Sequence, residues 1–336
     1  MYNSKILSVG KYVPENIVTN NDLSKIMDTN DDWITERTGI KERRWAKPED
    51  KETTFTMGLK AAEIAIERSG LDKDEIDFIV FATLSPDYFF PGPGVQIQEA
   101  LGIKTIGALD VRNQCSGFIY AVSVADQFIK TGMYKNILVI GSELQSRGID
   151  KSTRGRSISV IFGDGAGAVV MSREEDNSKG ILSTHLHSEG KHALELATEA
   201  PGMGGRWITD IIKDNDPTDL SYFPYMNGQF VFKNAVVRFS EVITEGLTKN
   251  NLDKDAIDML IPHQANLRIA QFIQKKFGLS DDQVFNNIQK YGNTTAASIP
   301  IALCEAWEEG KIKEGDIVVL AAFGSGFTWG SAIIKW

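Results

Sequence analysis

The chain has 336 residues, of which 42% are hydrophobic and 24% are charged. These proportions are those of a folded globular protein and exclude collagen-like, coiled-coil and disordered chains. The formal net charge of −9 at pH 7 argues against a general binder of nucleic acid or of anionic membranes, because phosphate contacts need basic surface. A local basic patch is compatible with this charge.

The cysteine content and the start of the chain predict a compartment. Cys115 and Cys304 are the two cysteines, too few for a disulfide framework or a cysteine-based zinc site. The first residues lack the features of a signal peptide, and nowhere do about 18 apolar residues follow one another. We therefore expect an unprocessed cytoplasmic protein without a membrane segment.

A sequence repeat indicates an internal duplication. The stretch from Leu71 to Asp77 returns nearly unchanged from Leu252 to Asp258, an offset of 181 residues, and each copy leads into an apolar run. A second pair, from Asn136 to Ile140 and from Asp316 to Leu320, lies 180 residues apart. Two matches with nearly the same offset favour duplication over chance.

The predicted elements alternate along the chain. Apolar runs typical of buried strands lie at 78–81, 106–111, 136–140, 168–171, 259–261 and 316–320. Stretches with helical periodicity lie at 57–69, 116–131, 235–248 and 299–309. This alternation predicts an α/β fold with parallel-type sheets covered on both faces. We assign residues 1–178 to an N-terminal half and residues 179–336 to a C-terminal half, each βαβ-rich, packed together as one rigid pseudo-dimer.

One long segment interrupts this pattern. From Pro201 to Gly228 the chain mixes glycine, proline, aspartate and aromatic residues. A long irregular stretch in a compact domain is more often functional than passive. We expect a lid or a pocket wall here, and the alternative is a passive surface excursion.

Cys115 stands where a predicted strand gives way to a predicted helix, in the motif NQCSGF. The unpaired amides and the dipole of a helix N-terminus favour an anion and lower the pKa of a thiol placed there. Because the thiolate is the nucleophile, this position suits covalent catalysis. The alternative from this motif alone is a cysteine that serves as a small buried hydrophobe.

Two further motifs carry candidate partners for the cysteine. His263 follows the second strand copy in IPHQAN, and Asn293 lies in the turn YGNTTAAS before a predicted helix. Sheets of this kind collect their chemistry at the carboxyl ends of strands. With an offset of 180, Cys115 maps to Thr295, so the three side chains can converge near the pseudo-twofold axis. Taken singly, His263 is as well explained as a structural residue and Asn293 as a helix cap.

Three other features predict structure only. The run from Gly163 to Ala168 lacks the spacing of a dinucleotide-binding loop and leads into a predicted strand. His185 and His187 indicate one strand face, with His192 in a loop, and we expect no metal site there. Cys304 falls within apolar helical spacing and is predicted to lie in the core.

The motifs NQCSGF, IPHQANLR, YGNTTAAS and FGSGFTWGSA together resemble the ketoacyl-acyl-carrier-protein synthase III family of the thiolase superfamily, over Lys5 to Trp336. The resemblance implies a duplicated, five-layered αβαβα fold, a homodimer and no cofactor, since acyl-CoA is a substrate. It also places Cys115, His263 and Asn293 on the family's catalytic positions.

The resemblance implies a decarboxylating Claisen condensation in two stages. Cys115 takes an acyl group from acyl-CoA, and the carbanion from a malonyl thioester on the carrier protein then attacks it. His263 and the Asn293 amide would stabilise the charge on the malonyl thioester oxygen. The backbone amides of Cys115 and Ser325 would hold the oxyanion on the acyl-cysteine.

The same resemblance assigns residues that bind CoA. Trp33 would stack on the adenine, Arg37 would lie near the phosphates, and Arg156 matches the opposite side of the stack.

Other positions concern protein partners. Arg268, Lys275 and Lys276 match the helix on which family members dock the acidic carrier protein. Phe90 matches the aromatic residue that closes the acyl pocket of the neighbouring subunit.

The sequence departs from the common bacterial pattern in three places. Asn113 and Gln114 replace small residues before the nucleophile, Ser325 stands inside a glycine triplet, and the stretch from Pro201 to Gly228 is long. These departures leave the acyl donor open between priming of fatty acid synthesis and a specialised lipid or polyketide. The alternative functions are a cysteine acyltransferase or thioester hydrolase without condensation, and a non-catalytic acyl-binding or assembly protein.

Overall fold

The computed structural model describes residues 2–202, 204, 208–214, 216 and 218–336. The strands are β1 (Asn3–Tyr12), β2 (Ile17–Thr19), β3 (Glu42–Arg44), β4 (Phe78–Ala82), β5 (Gly107–Val111), β6 (Asn136–Glu143), β7 (Gly165–Glu174), β8 (Gly180–Ser188), β9 (Leu196–Ala197), β10 (Tyr225–Met226), β11 (Met259–Pro262), β12 (Ile317–Gly324) and β13 (Thr328–Lys335). The α-helices are α1 (Asn20–Leu23), α2 (Asp31–Thr38), α3 (Thr54–Ser69), α4 (Pro93–Ala100), α5 (Gly117–Lys130), α6 (Arg156–Ser159), α7 (Ile208–Asp214), α8 (Gly228–Lys249), α9 (Leu267–Phe277), α10 (Ile288–Tyr291) and α11 (Ser298–Glu308).

Two large sheets share one topology. The first has the order β1-β7-β6-β4-β5 and the second the order β8-β13-β12-β11. In each, two neighbouring strands run parallel (β4 and β6, β11 and β12), the next strand runs antiparallel to them (β7, β13), and the last pairs antiparallel with that strand (β1, β8). The first sheet has one more strand, β5, which pairs parallel with β4. The expectation of parallel-type sheets is therefore wrong, and both sheets are mixed. The reason is visible between β12 and β13, where a short turn can only return the chain antiparallel.

The two sheets enclose a central helical layer. The apolar side chains of α5 and α11 pack together with residues of both sheets in one core cluster. Helices α3 and α4 cover the outer face of the first sheet, and α8 and α9 cover the outer face of the second. The result is the predicted five-layered αβαβα fold. Because α5 and α11 are sandwiched between sheets, most of their residues are buried, and most of the buried ones are apolar.

Strand register corrects the offset of the duplication. Phe78 pairs with Ile137 in the first sheet, and Met259 pairs with Val318 in the second, so the offset is 181 throughout. The match of Asn136 to Asp316 by residue type was one position out of register. With the corrected offset the counterpart of Cys115 is Ala296 and not Thr295.

The segment from Pro201 to Gly228 is less irregular than predicted. It contains helix α7, and strand β10 pairs with β9. Met203, Gly205, Arg206, Trp207, Asn215 and Pro217 belong to this segment and lie outside the described residues.

The motifs that predicted structure only lie where they were expected. The glycine run enters β7, and Cys304 in α11 is fully buried. His185 and His187 lie on β8, where both approach Glu245. Among the described helices none is long and apolar enough to cross a bilayer.

Candidate active site

Cys115 lies in a single 3-10 turn, Gln114–Ser116, between β5 and α5. Its side chain is 8% exposed, because the end of β12 packs directly against it. A Cβ atom at Gly324 would lie 2.7 Å from Cys115 Cβ, closer than real Cβ atoms approach. Glycine at this position therefore lets the second sheet reach the sulfur.

The environment of the thiol reverses one expectation. Burial raises the pKa of Cys115 to about 12, and the nearby Glu143 carboxylate adds to the rise. Desolvation disfavours the charged form, and here it outweighs the helix start and the hydrogen bond from the backbone amide of Cys115. The resting thiol is therefore neutral, whereas the sequence position predicted a lowered pKa.

His263 follows β11 and is 3% exposed. Its backbone N–H donates to the Ala321 carbonyl at 2.8 Å, and its Nδ1 lies 2.6 Å from Ser298 Oγ. Nε2 is buried, and no polar atom of the described residues bonds to it. Burial lowers the pKa of His263 to about 3, so the imidazole is neutral at physiological pH.

Ser298 determines which ring nitrogen carries the hydrogen. Its Oγ already accepts the Gln264 backbone N–H at 3.4 Å. Among the described residues no other acceptor for its hydroxyl hydrogen is within hydrogen-bond distance, so we assign that hydrogen to the bond with His263 Nδ1. The hydrogen of the neutral ring then lies on Nε2, which makes this unpartnered atom a hydrogen-bond donor.

Asn293 is fixed on three sides. Its backbone N–H donates to the Ile161 carbonyl at 2.9 Å, and its own carbonyl accepts the Gly163 N–H at 3.0 Å. Its side-chain Oδ1 accepts the Thr295 N–H at 2.8 Å. Because Oδ1 is occupied, the Nδ2 amide is the end of the side chain that remains available as a donor.

One cavity brings the three predicted residues together. It has a volume of about 160 Å³ and is lined by Cys115, His263 and Asn293, with apolar walls from α8 and Phe323. We call it the His263 cavity. An apolar wall strengthens the interactions of the few polar groups that face it.

A second cavity meets the first at the sulfur. It has a volume of about 240 Å³, and its lining includes Cys115, Ser325, Arg112, Gln114 and Gln145. We call it the Arg112 cavity. A larger groove of about 800 Å³, between β8 and α8, contains none of the predicted catalytic residues, so size alone does not mark this site.

The irregular segment contributes to both cavities. Pro224 lines the Arg112 cavity, and Met226 and Gly228 line the His263 cavity. These contacts favour a pocket wall over a passive excursion.

The predicted CoA residues lie together at the surface. Arg37 and Arg156 place their guanidinium carbons 4.7 and 5.6 Å from the centre of the half-buried Trp33 ring. Arg156 also bonds Asp28 Oδ2 at 2.9 Å. Asn266, which lines the His263 cavity, donates to the Arg37 carbonyl at 2.9 Å. This bond connects the Trp33 surface to the rim of the cavity.

The residues predicted to meet protein partners are exposed. Arg268, Lys275 and Lys276 lie on the outer side of α9. Phe90 is 81% exposed and contacts Phe89 edge to face. Within one chain Phe90 does not reach either cavity.

Sequence reasoning missed two residues of the site. Ser298 belongs to the motif YGNTTAAS, but its place at the start of a helix behind His263 shows only in three dimensions. Arg112 stands three residues before the nucleophile, and no local motif gives it a role. The corrected offset of 181 would have flagged it, since it maps Arg112 onto Asn293.

The fold and this site define a thiolase-fold, acyl-transferring enzyme. Residues 109–190 match the family described as 3-oxoacyl-[acyl-carrier-protein] synthase III, and residues 247–336 match its C-terminal part. Beta-ketoacyl-[acyl-carrier-protein] synthase III of Salmonella arizonae is 48% identical over 332 residues, and that of Serratia proteamaculans is 46% identical, each alignment covering 99% of both chains. The crystal structure of 3-oxoacyl-[acyl-carrier-protein] synthase III from Aquifex aeolicus VF5 superposes with a TM-score of 0.90 at 44% identity, covering 99% of this chain and 100% of that one. The chain belongs to the 3-oxoacyl-[acyl-carrier-protein] synthase III family.

Proposed function

We propose that the chain condenses an acyl-CoA with a malonyl-acyl-carrier-protein thioester, with loss of CO₂, in the initiation of fatty acid synthesis. The observation that carries the proposal is the single cavity in which Cys115 faces His263 and Asn293. Family membership supports the same reaction. A hydrolase is not favoured, because a histidine whose pKa is lowered to about 3 is a poor general base.

In the first half-reaction Cys115 is the nucleophile. Its sulfur forms a bond to the acyl carbon, the bond from that carbon to the CoA sulfur breaks, and the thiol proton ends on CoA. Since the thiol is neutral at rest, it loses its proton during the attack and not before. The backbone amides of Cys115 and Ser325 hold the oxyanion that forms on the acyl carbon.

In the second half-reaction His263 and Asn293 act as donors. The bond to the malonyl carboxylate breaks, CO₂ leaves, and its electron pair moves toward the thioester oxygen. His263 Nε2–H and Asn293 Nδ2–H stabilise that charge. The resulting carbanion attacks the acyl carbon, the bond to Cys115 breaks, and the sulfur regains a proton from solvent. Beyond the two thioesters this chemistry needs no cofactor.

The two halves divide this work between them. Residues 1–178 supply Cys115, and residues 179–336 supply His263, Asn293 and Ser325. Trp33, Arg37 and Arg156 bind the CoA end of the donor at the rim. The exposed cations of α9 attract an acidic carrier protein.

We also propose a homodimer. The edge strand β5 is paired on one side, to β4, and its Leu109 is 38% exposed. An open edge strand with exposed apolar residues invites pairing with another chain. Tyr88, Phe89 and Phe90, all exposed by 59% or more, lie in the segment that follows β4. Pairing of β5 with its copy would bury this edge and bring Phe90 toward the partner's acyl pocket.

We also propose that the enzyme works in the cytoplasm. Cys115 and Cys304 are both free thiols, which suits the reducing cytoplasm.

A radiochemical assay tests the proposed reaction. Labelled acyl-CoA and malonyl-carrier protein are incubated with the enzyme, and the 3-oxoacyl thioester is measured together with released CO₂. We expect both products in equal amounts. Steady release of free acid without malonyl donor would favour the hydrolase instead.

A further inference from the structure

The Arg112 cavity contains polar groups that the condensation does not use. Arg112 and Gln114 line it, and within the described part of the chain neither side chain forms a hydrogen bond or an ion pair. Two of the other polar residues in the lining are engaged. Gln145 donates to Glu143 at 3.2 Å, and Ser325 Oγ donates to the Leu196 carbonyl.

The duplication explains how Arg112 comes to line a cavity that contains Cys115. With the offset of 181, Arg112 is the counterpart of Asn293, and each side chain lines one of the two cavities that meet at Cys115. The same backbone position thus presents a polar group to the nucleophile from each half. In the second half the group is a neutral amide, and in the first it is a permanent cation.

Among the described contacts, the buried acid nearby forms no ion pair with this cation. Glu143 accepts bonds from Thr83 Oγ1, Ser85 Oγ and the Leu84 amide. Burial raises the pKa of Glu143, and the described groups that bond to its carboxyl do not include Arg112. Arg112 is an exposed residue and has no ion-pair partner among the described residues, so its guanidinium makes its end of the cavity positive.

The rest of the lining suits a short carbon chain. Leu84, Phe162, Leu196 and Pro224 provide apolar surface beside Cys115. A volume of about 240 Å³ is several times the roughly 30 Å³ that one water molecule takes up in the liquid. The cavity therefore has space for more than a two-carbon acyl group.

We propose that the acyl group loaded onto Cys115 carries a carboxylate at its far end, and that Arg112 and Gln114 bind this carboxylate. Arginine is the side chain best suited to carboxylate because its planar fork donates two parallel hydrogen bonds. Gln114 adds a neutral amide donor one residue before the nucleophile. The inference rests on the proposed function, since it names the acyl donor for the first half-reaction. The bonds that form and break in that half-reaction are the same as above.

Matched pairs of donors test the inference. Succinyl-CoA and butyryl-CoA have the same four carbons, as glutaryl-CoA and valeryl-CoA have the same five, and one member of each pair carries the terminal carboxylate. The full-length enzyme, R112Q and a control K104Q are mixed with each donor. The rate of adduct formation on Cys115 is followed by intact-protein mass spectrometry. Lys104 is exposed, precedes β5 as Arg112 follows it, and lines neither cavity, so K104Q removes the same charge elsewhere.

We expect the wild type to load the carboxylated member of at least one pair faster than its uncharged partner. R112Q should lower that ratio roughly 10- to 100-fold, the loss expected when one charge-assisted contact is removed, and K104Q should leave the ratio unchanged. A wild-type preference for the uncharged donor of both pairs would overturn the inference and leave the proposed function standing. No adduct with any of the four donors would overturn the inference. Loading of acetyl-CoA in the same assay would then leave the proposed function standing, and failure of acetyl-CoA to load would count against that function as well.

A competing role for Arg112 is an ion pair across the proposed dimer seam, because it follows the edge strand β5. In that case R112Q would weaken the dimer in size-exclusion chromatography and slow both members of each pair equally. An unchanged rate ratio of that kind would also overturn the inference.

Discussion

The two junctions related by the duplication share a backbone but not a chemistry. Gln114 and Thr295 both open a 3-10 turn with positive φ, 46° and 48°, and each turn leads into a helix of the central layer. Cys115 follows in the first half and Ala296 in the second. The local geometry is therefore inherited, and reactivity depends on which side chain occupies it.

A pair of residues next to each 3-10 turn also has the same backbone position in both halves but a different role. In the first half the pair is Ala82 and Gly117, which leave room for each other: a Cβ at Gly117 would lie 3.4 Å from Ala82 Cβ. Their counterparts in the second half are His263 and Ser298, which are joined by a hydrogen bond. The pair in the first half only packs, whereas the pair in the second half orients the imidazole of His263. Specialisation after duplication thus distributed nucleophile and donors over opposite halves.

Removing the nucleophile should have the largest effect. Cys115→Ala is expected to abolish the acyl adduct and to lower condensation by a factor on the order of 10⁴ or more. Adding Ala296→Cys to this variant should restore nothing, because Ala296 is 1% exposed and lies in the core. Intact-protein mass spectrometry reports both results. An adduct on the second-half thiol would show the two junctions to be equivalent.

Removing either hydrogen-bond donor, His263 or Asn293, should have the second-largest effect. His263→Ala and Asn293→Ala are each expected to slow malonyl decarboxylation about 10²- to 10³-fold, the usual effect of removing one oxyanion donor. Acylation of Cys115 should fall much less, because the donors serve the second half-reaction. His185→Ala, on β8, is the matched control. Equal losses in both half-reactions would argue that His263 activates the thiol instead.

The neutral thiol predicts a steep pH dependence of alkylation. Because burial raises the pKa of Cys115 to about 12, the thiolate fraction below that pH grows tenfold per unit. The rate of iodoacetamide modification should rise about 100-fold between pH 6 and pH 8. Peptide mapping separates Cys115 from Cys304. A plateau below pH 8 would show that the helix start governs the thiol.

The His263–Ser298 bond should matter less than the donors themselves. Ser298→Ala frees the ring to adopt the other tautomer, and we expect roughly a tenfold slower decarboxylation, equivalent to about 1.4 kcal/mol of barrier. Ser298→Thr keeps the hydroxyl and should recover most of the rate. Recovery of the rate by Ser298→Thr would show that the hydroxyl positions the imidazole. An equal loss in both variants would indicate that Ser298 contributes packing alone.

Charge reversal on α9 should have the smallest effect. Arg268→Glu is expected to raise the KM for malonyl-carrier protein several-fold at low salt, because attraction of an acidic partner is long-ranged and screened by ions. Acylation by acyl-CoA should change far less. Lys313→Glu, in an exposed turn, is the control. The same rise in both variants would place the docking surface elsewhere.

Local patterns were sufficient to predict much of the fold. Buried strands such as β4 and β11 are marked by apolar runs after a repeated heptapeptide, and α5 and α11 by helical periodicity. The direction of β7 and β13 was missed, because strand direction depends on how short a connection is and which strands it joins. The offset error of one residue had the same origin, since register is set by pairing and not by residue similarity.

The sequence was sufficient to predict the candidate catalytic residues but not their surroundings. Cys115, His263 and Asn293 could be named because they stand at strand ends and helix starts. The raised pKa of the Cys115 thiol could not be predicted, since it depends on Gly324, which lets β12 pack against Cys115. Ser298 and Arg112 were missed for a related reason: their roles follow from neighbours that are more than 30 residues away or related by the duplication.

A crystal structure of the acylated enzyme with a non-decarboxylating malonyl-thioester analogue tests the central claim most directly. We expect the analogue's thioester oxygen to lie within hydrogen-bond distance, about 3 Å, of both His263 Nε2 and Asn293 Nδ2, with its methylene carbon facing the acyl carbon on Cys115. A thioester oxygen that contacts neither nitrogen, in an otherwise ordered complex, would contradict the account.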